Sequence, residues 1–507
     1  MSLITAKDPS LIAAVTTTQI AAISTKDLVA LSTAQIHAFS TDQIQALTTR
    51  CISVLTTDQV AGGLTTEQLA AFTTYQVAAL TTRQLLALTT DQILGGLTTI
   101  DLPALTLTQI SALTTNQLQI LSTDQIANGL TTFETRALTS TQLRSLTTDQ
   151  IQNGLTTVQL KALSTTVISG LTTTQIRSLT TDQIANGLTT SEIQALTTSQ
   201  LRSMTTDQIQ NGMTTTELRS LTTDQVMAFT TGQVVNGLTT TQLQSLKTNQ
   251  ILALTTAQLK AMTTDQVGGL TTTELRVLTS TQLRSLTTDQ LVNGLTTTQL
   301  RSFTTAGLAG LTTAQLRLLS TDQVANGFST AQIQTLTTLQ LQAFTTDHIA
   351  NLTTTQLQAL KTSQVVALVN GLSLTQLLAL TTSEIQALTT AQVRAFTTDQ
   401  VTNGLTTTEI RALTTAQVRS LTTNQIANGL TTSQLKALTT DQIINGLTTA
   451  QLRVLSTDQI ANGLTTFETR ALTSTQLRSL TTDQIQNGLT TVQLLSLIHI
   501  SEPTRPY

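Results

Sequence analysis

At 507 residues the chain has the length of several globular domains, yet aromatics make up 2%, Trp is absent and charged residues reach only 10%. That composition excludes an ordinary mixed core. A formal charge of −3 excludes a basic stripe for nucleic acid or a polybasic membrane-binding segment, and the single cysteine excludes an intramolecular disulfide.

Residues 1–25 read as an N-terminal capping segment. Within it Asp8-Pro9-Ser10 places a proline where a first helical position suits it. The opening MSLITAKDPSLIAAVTTTQIAAIS lacks the charged region, continuous apolar stretch and cleavage site of a secretory signal. Nowhere do eighteen consecutive apolar residues occur, the length a spanning helix needs.

Residues 26–494 repeat the phrase Leu-Thr-Thr-x-Gln-aliphatic-x-Ala without pause, which predicts a continuous short-repeat solenoid. The unit LTTDQIQNGL from Leu146 to Leu155 shows why each copy makes a short helix. Thr147 precedes Gln150 by three residues, the spacing of a capping box, and Asp149 falls in the first turn where the helix dipole favours an anion. Asn153-Gly154 supplies a residue suited to the left-handed conformation that closes a helix. Units of nine residues ending in Asn-Gly follow every two or three units of eight from Asn128 to Gly237, and the extra glycine is expected to mark a corner of the path. One unit buries too few aliphatic groups to offset the entropy of ordering itself, so neighbours must stack. The fold class is therefore all-α, a solenoid of very short capped helices. The alternative is a β-solenoid, since Thr, Ile and Val favour strands and Asn-Gly also makes hairpins.

Comparison of units inside the chain separates two faces. The residue after Thr-Thr varies freely, as at Tyr75, Arg83, Asp149, Val158, Ser191 and Leu339, as does the one after the second aliphatic, as at Gln152, Lys161 and Arg202. Both positions are expected outside. The Leu and the Ile, Val or Leu are expected inside, with Gln held by its capping role.

His37, His348 and His499 are far apart and lack Cys or acidic neighbours, so their spacing proposes neither zinc nor a nucleophile–base pair. His348 occupies the Gln position of FTTDHIAN, where an imidazole can substitute as a polar group near the helix start. Cys51 replaces Gln in LTTRCISV and reads as a substitution without function. The six residues LTTDQV from Leu55 resemble the start of TAL-effector repeats, but nothing matches their base-reading loop, so DNA recognition is not carried over. Asp124, Asp149, Asp182, Asp207 and Asp224 recur as helix-start acids. Each unit offers one carboxylate and no glycine-rich loop, which does not make a calcium site. The adjacent threonines lack the Thr-x-Thr spacing of an ice-binding sheet. The twelve-residue unit LKTSQVVALVNG, Leu360 to Gly371, predicts one longer helix and a local bulge. No residue is assigned as catalytic, cofactor-binding or metal-binding, no cofactor is expected, and the chain reads as no enzyme.

Residues Leu121 to Leu160 recur unchanged as Leu455 to Leu494. The second copy then runs into LSLIHISEPTRPY, which abandons the pattern and resembles a translated sequencing adapter. Residues 495–507 are accordingly expected to be a non-native, disordered tail.

From Met1 to Leu494 the chain resembles the LTTxQ-type repeat regions of very long bacterial proteins, some of them adhesin-like or exported without an N-terminal signal. The resemblance implies a non-catalytic surface or secreted stalk, with an intracellular protein-binding scaffold as the alternative. It allows a protein or cell-surface partner, implies no nucleic-acid partner and no membrane span, and favours an extracellular or cell-surface location over a cytoplasmic one.

Overall fold

The computed structural model describes residues 8–498. Helix accounts for 72% of the chain and no strand occurs among the described residues, which overturns the β-solenoid alternative. Local chemistry explains the outcome: the first Thr of each pair is consumed as a cap and the second begins the helix. Thr139, for example, is extended at φ −84°, ψ 161° and caps the helix Ser140–Ser145. That helix ends at Leu146, extended again at φ −62°, ψ 143°. Two extended residues, the Leu and the first Thr, thus turn the chain between helices about one and a half turns long.

The chain divides into two compact units, residues 1–262 and 263–507. In the first, Pro9 opens a short 3-10 helix, Pro9–Ala14, capped by Asp8. Successive helices then wind into layers. Thr115–Ile120 packs against Ser140–Ser145, and Thr132–Arg136 against Thr157–Ala162, each pair three repeats apart. The second unit obeys the same rule, with Thr297–Ser302 against Thr321–Gly327 and Thr432–Ala437 against Thr457–Gly463.

The core is two stacked rows of aliphatic side chains. The first is the residue after Gln, represented by Ile126, Leu143, Ile151 and Leu160, each at 0% exposure. The second is the unit's leading Leu, also buried, as at Leu146 and Leu155. Both outward positions expected from the sequence are exposed, including Arg83, Asp149, Gln152, Lys161, Ser191 and Arg202.

The reading of Asn-Gly as a left-handed stop is wrong. Among the described residues no glycine and no other residue has positive φ. Instead several nine-residue units widen their last turn, so that the Leu155 amide donates to the Gln150 carbonyl five residues back at 3.0 Å, while others stay α-helical, the Leu188 amide donating to the Ile184 carbonyl four residues back at 3.3 Å. Asn153 Nδ2 donates to Asp149 Oδ1 at 2.7 Å along the same helix. Glycine is needed for a different reason, the approach of the previous turn. A Cβ at Gly154 would lie 3.3 Å from Cβ and Cγ2 of Ile126 and 3.5 Å from Thr123 Cα.

The twelve-residue unit forms the longer helix expected of it, Thr362–Leu368, continued by a 3-10 turn, Val369–Gly371. At the C-terminal end the helix Thr491–Ile498 includes the first residues of the anomalous tail. The remainder of that tail, 499–507, and with it His499, lies outside the described residues.

Candidate functional site

The repeat's most distinctive polar group is the Gln three residues after the capping Thr, and the structure gives it two tasks. In the type unit the Thr147 amide donates to Gln150 Oε1 at 2.9 Å while the Gln150 amide donates to Thr147 Oγ1 at 3.1 Å. This is the expected capping box. The other end of the same side chain reaches the turn below. Gln150 Nε2 donates to the carbonyls of Leu118, Gln119 and Leu121 at 2.9, 3.2 and 2.7 Å. Those carbonyls close the helix Thr115–Ile120, four repeats earlier, and lack partners within their own helix.

Each Gln therefore ties the start of one helix to the open end of another. Gln59 bonds Leu28 and Leu31, Gln183 bonds Ile151 and Leu155, and Gln417 bonds Ile385 and Leu388. Helices pack three repeats apart while the glutamine bonds span four, so one turn takes between three and four repeats. The clamp is buried, with Gln150 at 3% exposure. Each bond contributes about 0.5–1.5 kcal/mol net, and an abandoned buried carbonyl costs about 1–3 kcal/mol.

Substitutions at this position act as internal tests. His348 behaves as expected of it: its Nδ1 accepts from the Thr345 amide at 3.2 Å, and Nε2 lies 2.7 Å from the Leu319 carbonyl. Those two partners fix the neutral tautomer carrying its proton on Nε2. The ring of Phe344 meets it edge-on at 5.7 Å. Cys51 is buried, and its thiol points at the Ile23 carbonyl at 3.6 Å, a weak remnant of the same contact.

Carboxylates also occupy the position, a feature that capping logic alone does not separate from Gln. Glu134, Glu192, Glu217, Glu274, Glu409 and Glu468 are all buried there, as is Asp101. Thr214 donates to Glu217 Oε2 from its amide at 2.6 Å and from its hydroxyl at 2.9 Å. Burial raises the Glu217 carboxyl above its ordinary range, and these two bonds oppose the shift. Asp101 is raised by the same cause, against its bonds from Thr98. The signal that could have exposed these residues was the interchange of Gln and Glu at a position the structure buries.

The other acidic and histidine side chains stay apart. Asp124, Asp149, Asp182 and Asp207 each accept from the Asn four residues on. No group of three or more His, Cys, Asp or Glu that could hold a metal occurs among the described residues. His37 is exposed and contributes only its backbone carbonyl, to Gln68. One groove in the first unit is open, about 760 Å³, and lined by Thr190, Thr215, Arg219, Thr241 and Lys247 among others. No helix of the described residues is long and apolar enough to cross a membrane.

Comparison with protein families finds the ALTTAQ repeat at residues 12–49, 20–57, 62–99, 153–186, 235–272, 292–326, 369–403 and 403–428. A search of curated proteins finds no match.

Proposed function

As a chain built of ALTTAQ repeats, the molecule is one whose function must arise from the array, and we propose that it is a non-catalytic spacer or stalk, adhesin-like and displayed on a bacterial surface or secreted. The observation that carries this reading is the use made of polar groups. Among the described residues every buried side-chain nitrogen or oxygen has a hydrogen-bond partner. For the glutamines those partners are the repeat's own caps and the turn below. Catalysis requires polar groups aimed at a ligand and held in reserve for it, whereas here they serve cohesion. Variation is widest among outward side chains, which suits a body whose surface is tuned while its framework repeats.

The reading is tested by labelling intact cells with an antibody against the stretch 121–160. Surface labelling that protease treatment of intact cells removes is the expected result. Labelling that appears only after lysis would overturn the surface stalk.

One observation favours the second reading, an intracellular protein-binding scaffold. Tyr75, Ile100, Phe133 and Val158 are each at least 60% exposed. They stand 25, 33 and 25 residues apart, the same intervals that separate Asn-Gly pairs on successive turns. Exposed aromatic and aliphatic groups at turn spacing suit an apolar partner. Recovery of one cytosolic protein by the wild type, lost when Tyr75 and Phe133 become Ser, would favour the scaffold.

A further inference from the structure

Two buried glutamates occupy the clamp position on helices packed against each other, Glu192 on Thr190–Ala195 and Glu217 on Thr215–Ser220. Each spends one oxygen on its cap: the Thr189 amide donates to Glu192 Oε2 at 2.6 Å, as the Thr214 amide does to Glu217 Oε2. Glutamines on either side go further. Gln183 and Gln208 each donate to carbonyls of the turn below, at Ile151 and Leu155 and at Ile176 and Leu179. By the same register Glu192 stands over Leu160 and Leu163, and Glu217 over Ile184 and Leu188. Neither carboxyl makes a hydrogen bond to those carbonyls. The reason is chemical: an ionised carboxylate has no proton to donate, and a carbonyl facing it repels rather than binds.

We propose that the layer carrying Glu217 is a proton-dependent joint, which closes when the carboxyl is protonated and donates its O–H to the carbonyls below as a glutamine amide does, and loosens when it ionises. One proton moves from solvent to a carboxyl oxygen, and nothing else changes covalently.

The surroundings add little that would hold the charge. The helix Thr165–Ile168, packed against Glu192 from below, carries no ionisable residue. The helix above Glu217, Thr240–Ser245, carries none either. The charged groups on the packed elements are Glu192 and Glu217 themselves and Arg219, which is exposed and lines the open groove with Lys247. In the turns below, Lys161 is exposed, and Asp182 is exposed and accepts from Asn186. The raised Glu217 carboxyl agrees with this placement. A carboxyl raised in the folded state stabilises fully below its unfolded value, and that contribution is lost as pH rises through the folded value. The joint is therefore tighter in acid.

The experiment is hydrogen exchange of the full chain from pH 4 to 8, corrected for intrinsic exchange rate, on the amides of helix Thr181–Gly187. Wild type is expected to open more readily as pH rises, by up to about tenfold per pH unit while Glu217 titrates. The variant Glu217→Gln is expected to remove the slope and to be better protected than wild type at pH 8. The reciprocal variant Gln208→Glu is expected to install a slope at Ile176 and Leu179, where wild type has none. Equal slopes in wild type and Glu217→Gln, or a flat profile in Gln208→Glu, would overturn the proposal.

Discussion

Residues 138–155 and residues 360–400 are built from the same phrase, yet the first region is clamped fully and the second sparsely. Gln142 and Gln150 each reach two or more carbonyls of the turn below and are buried. After the twelve-residue unit, Gln376 reaches Ile349 and Leu352, only 27 and 24 residues back, which is three repeats rather than four. Gln392 then holds only the Val366 carbonyl and Gln400 only that of Leu372. Both are half-buried, as is Glu384. The difference shows that unit length sets register. A repeat of eight or nine residues brings each helix start over the correct helix end, and a longer one shifts every start that follows until the stack recovers at Gln417.

The sharpest way to break the comparison is to remove the clamp from each region. Gln150→Leu leaves the Leu118 and Leu121 carbonyls without their donor and should cost about 2–4 kcal/mol, whereas Gln392→Leu should cost about 1 kcal/mol. Hydrogen exchange across the two regions measures both, and equal losses would show that the clamp is not what separates them. Next in size is Gly154→Val, whose side chain has no room against Ile126 and Thr123. Overpacking of that kind costs about 1–3 kcal/mol, read as a lower denaturation midpoint. Deleting Ala367, Leu368 and Val369 converts the long unit to a nine-residue one ending in Asn-Gly. It should restore the second bond of Gln392 and stabilise that layer by about 1 kcal/mol, seen as slower exchange at 366–400. The smallest effect is expected at Gly232, where a Cβ would meet nothing nearer than Thr230 Oγ1 at 3.9 Å. Gly232→Ala should stabilise by a few tenths to about 1 kcal/mol, and destabilisation there would mean that glycine at this outward site is constrained.

Local features were legible in the sequence because their causes are local. Thr-x-x-Gln capping, the short helices, the inward Leu and Ile, the outward Arg83 and Val158, and the polar substitution at His348 all follow from residues within one repeat. The function of Gln150 beyond its cap was not, because its second set of partners lies about thirty residues back and depends on how many repeats complete a turn. The misreading of Gly154 has the same origin. The rule for helix ends is local, whereas the smallness of this residue answers to Ile126, a turn away. The burial of Glu217 is likewise invisible within one repeat, because the cap alone does not require it.

The clamp's reach of about thirty residues bears on how such a gene can change length. A helix recognises only the layers immediately before and after it, so a block copied from elsewhere in the array arrives with its bonding instructions intact. The unchanged recurrence of 121–160 at 455–494 illustrates this: Gln125 bonds Ile93 and Leu97 in one copy, and Gln459 bonds Ile426 and Leu430 in the other. The neighbours below differ in sequence, yet the backbone carbonyls they present are the same. Recombination can therefore lengthen or trim the array by whole blocks, with selection acting on the junctions rather than on the interior.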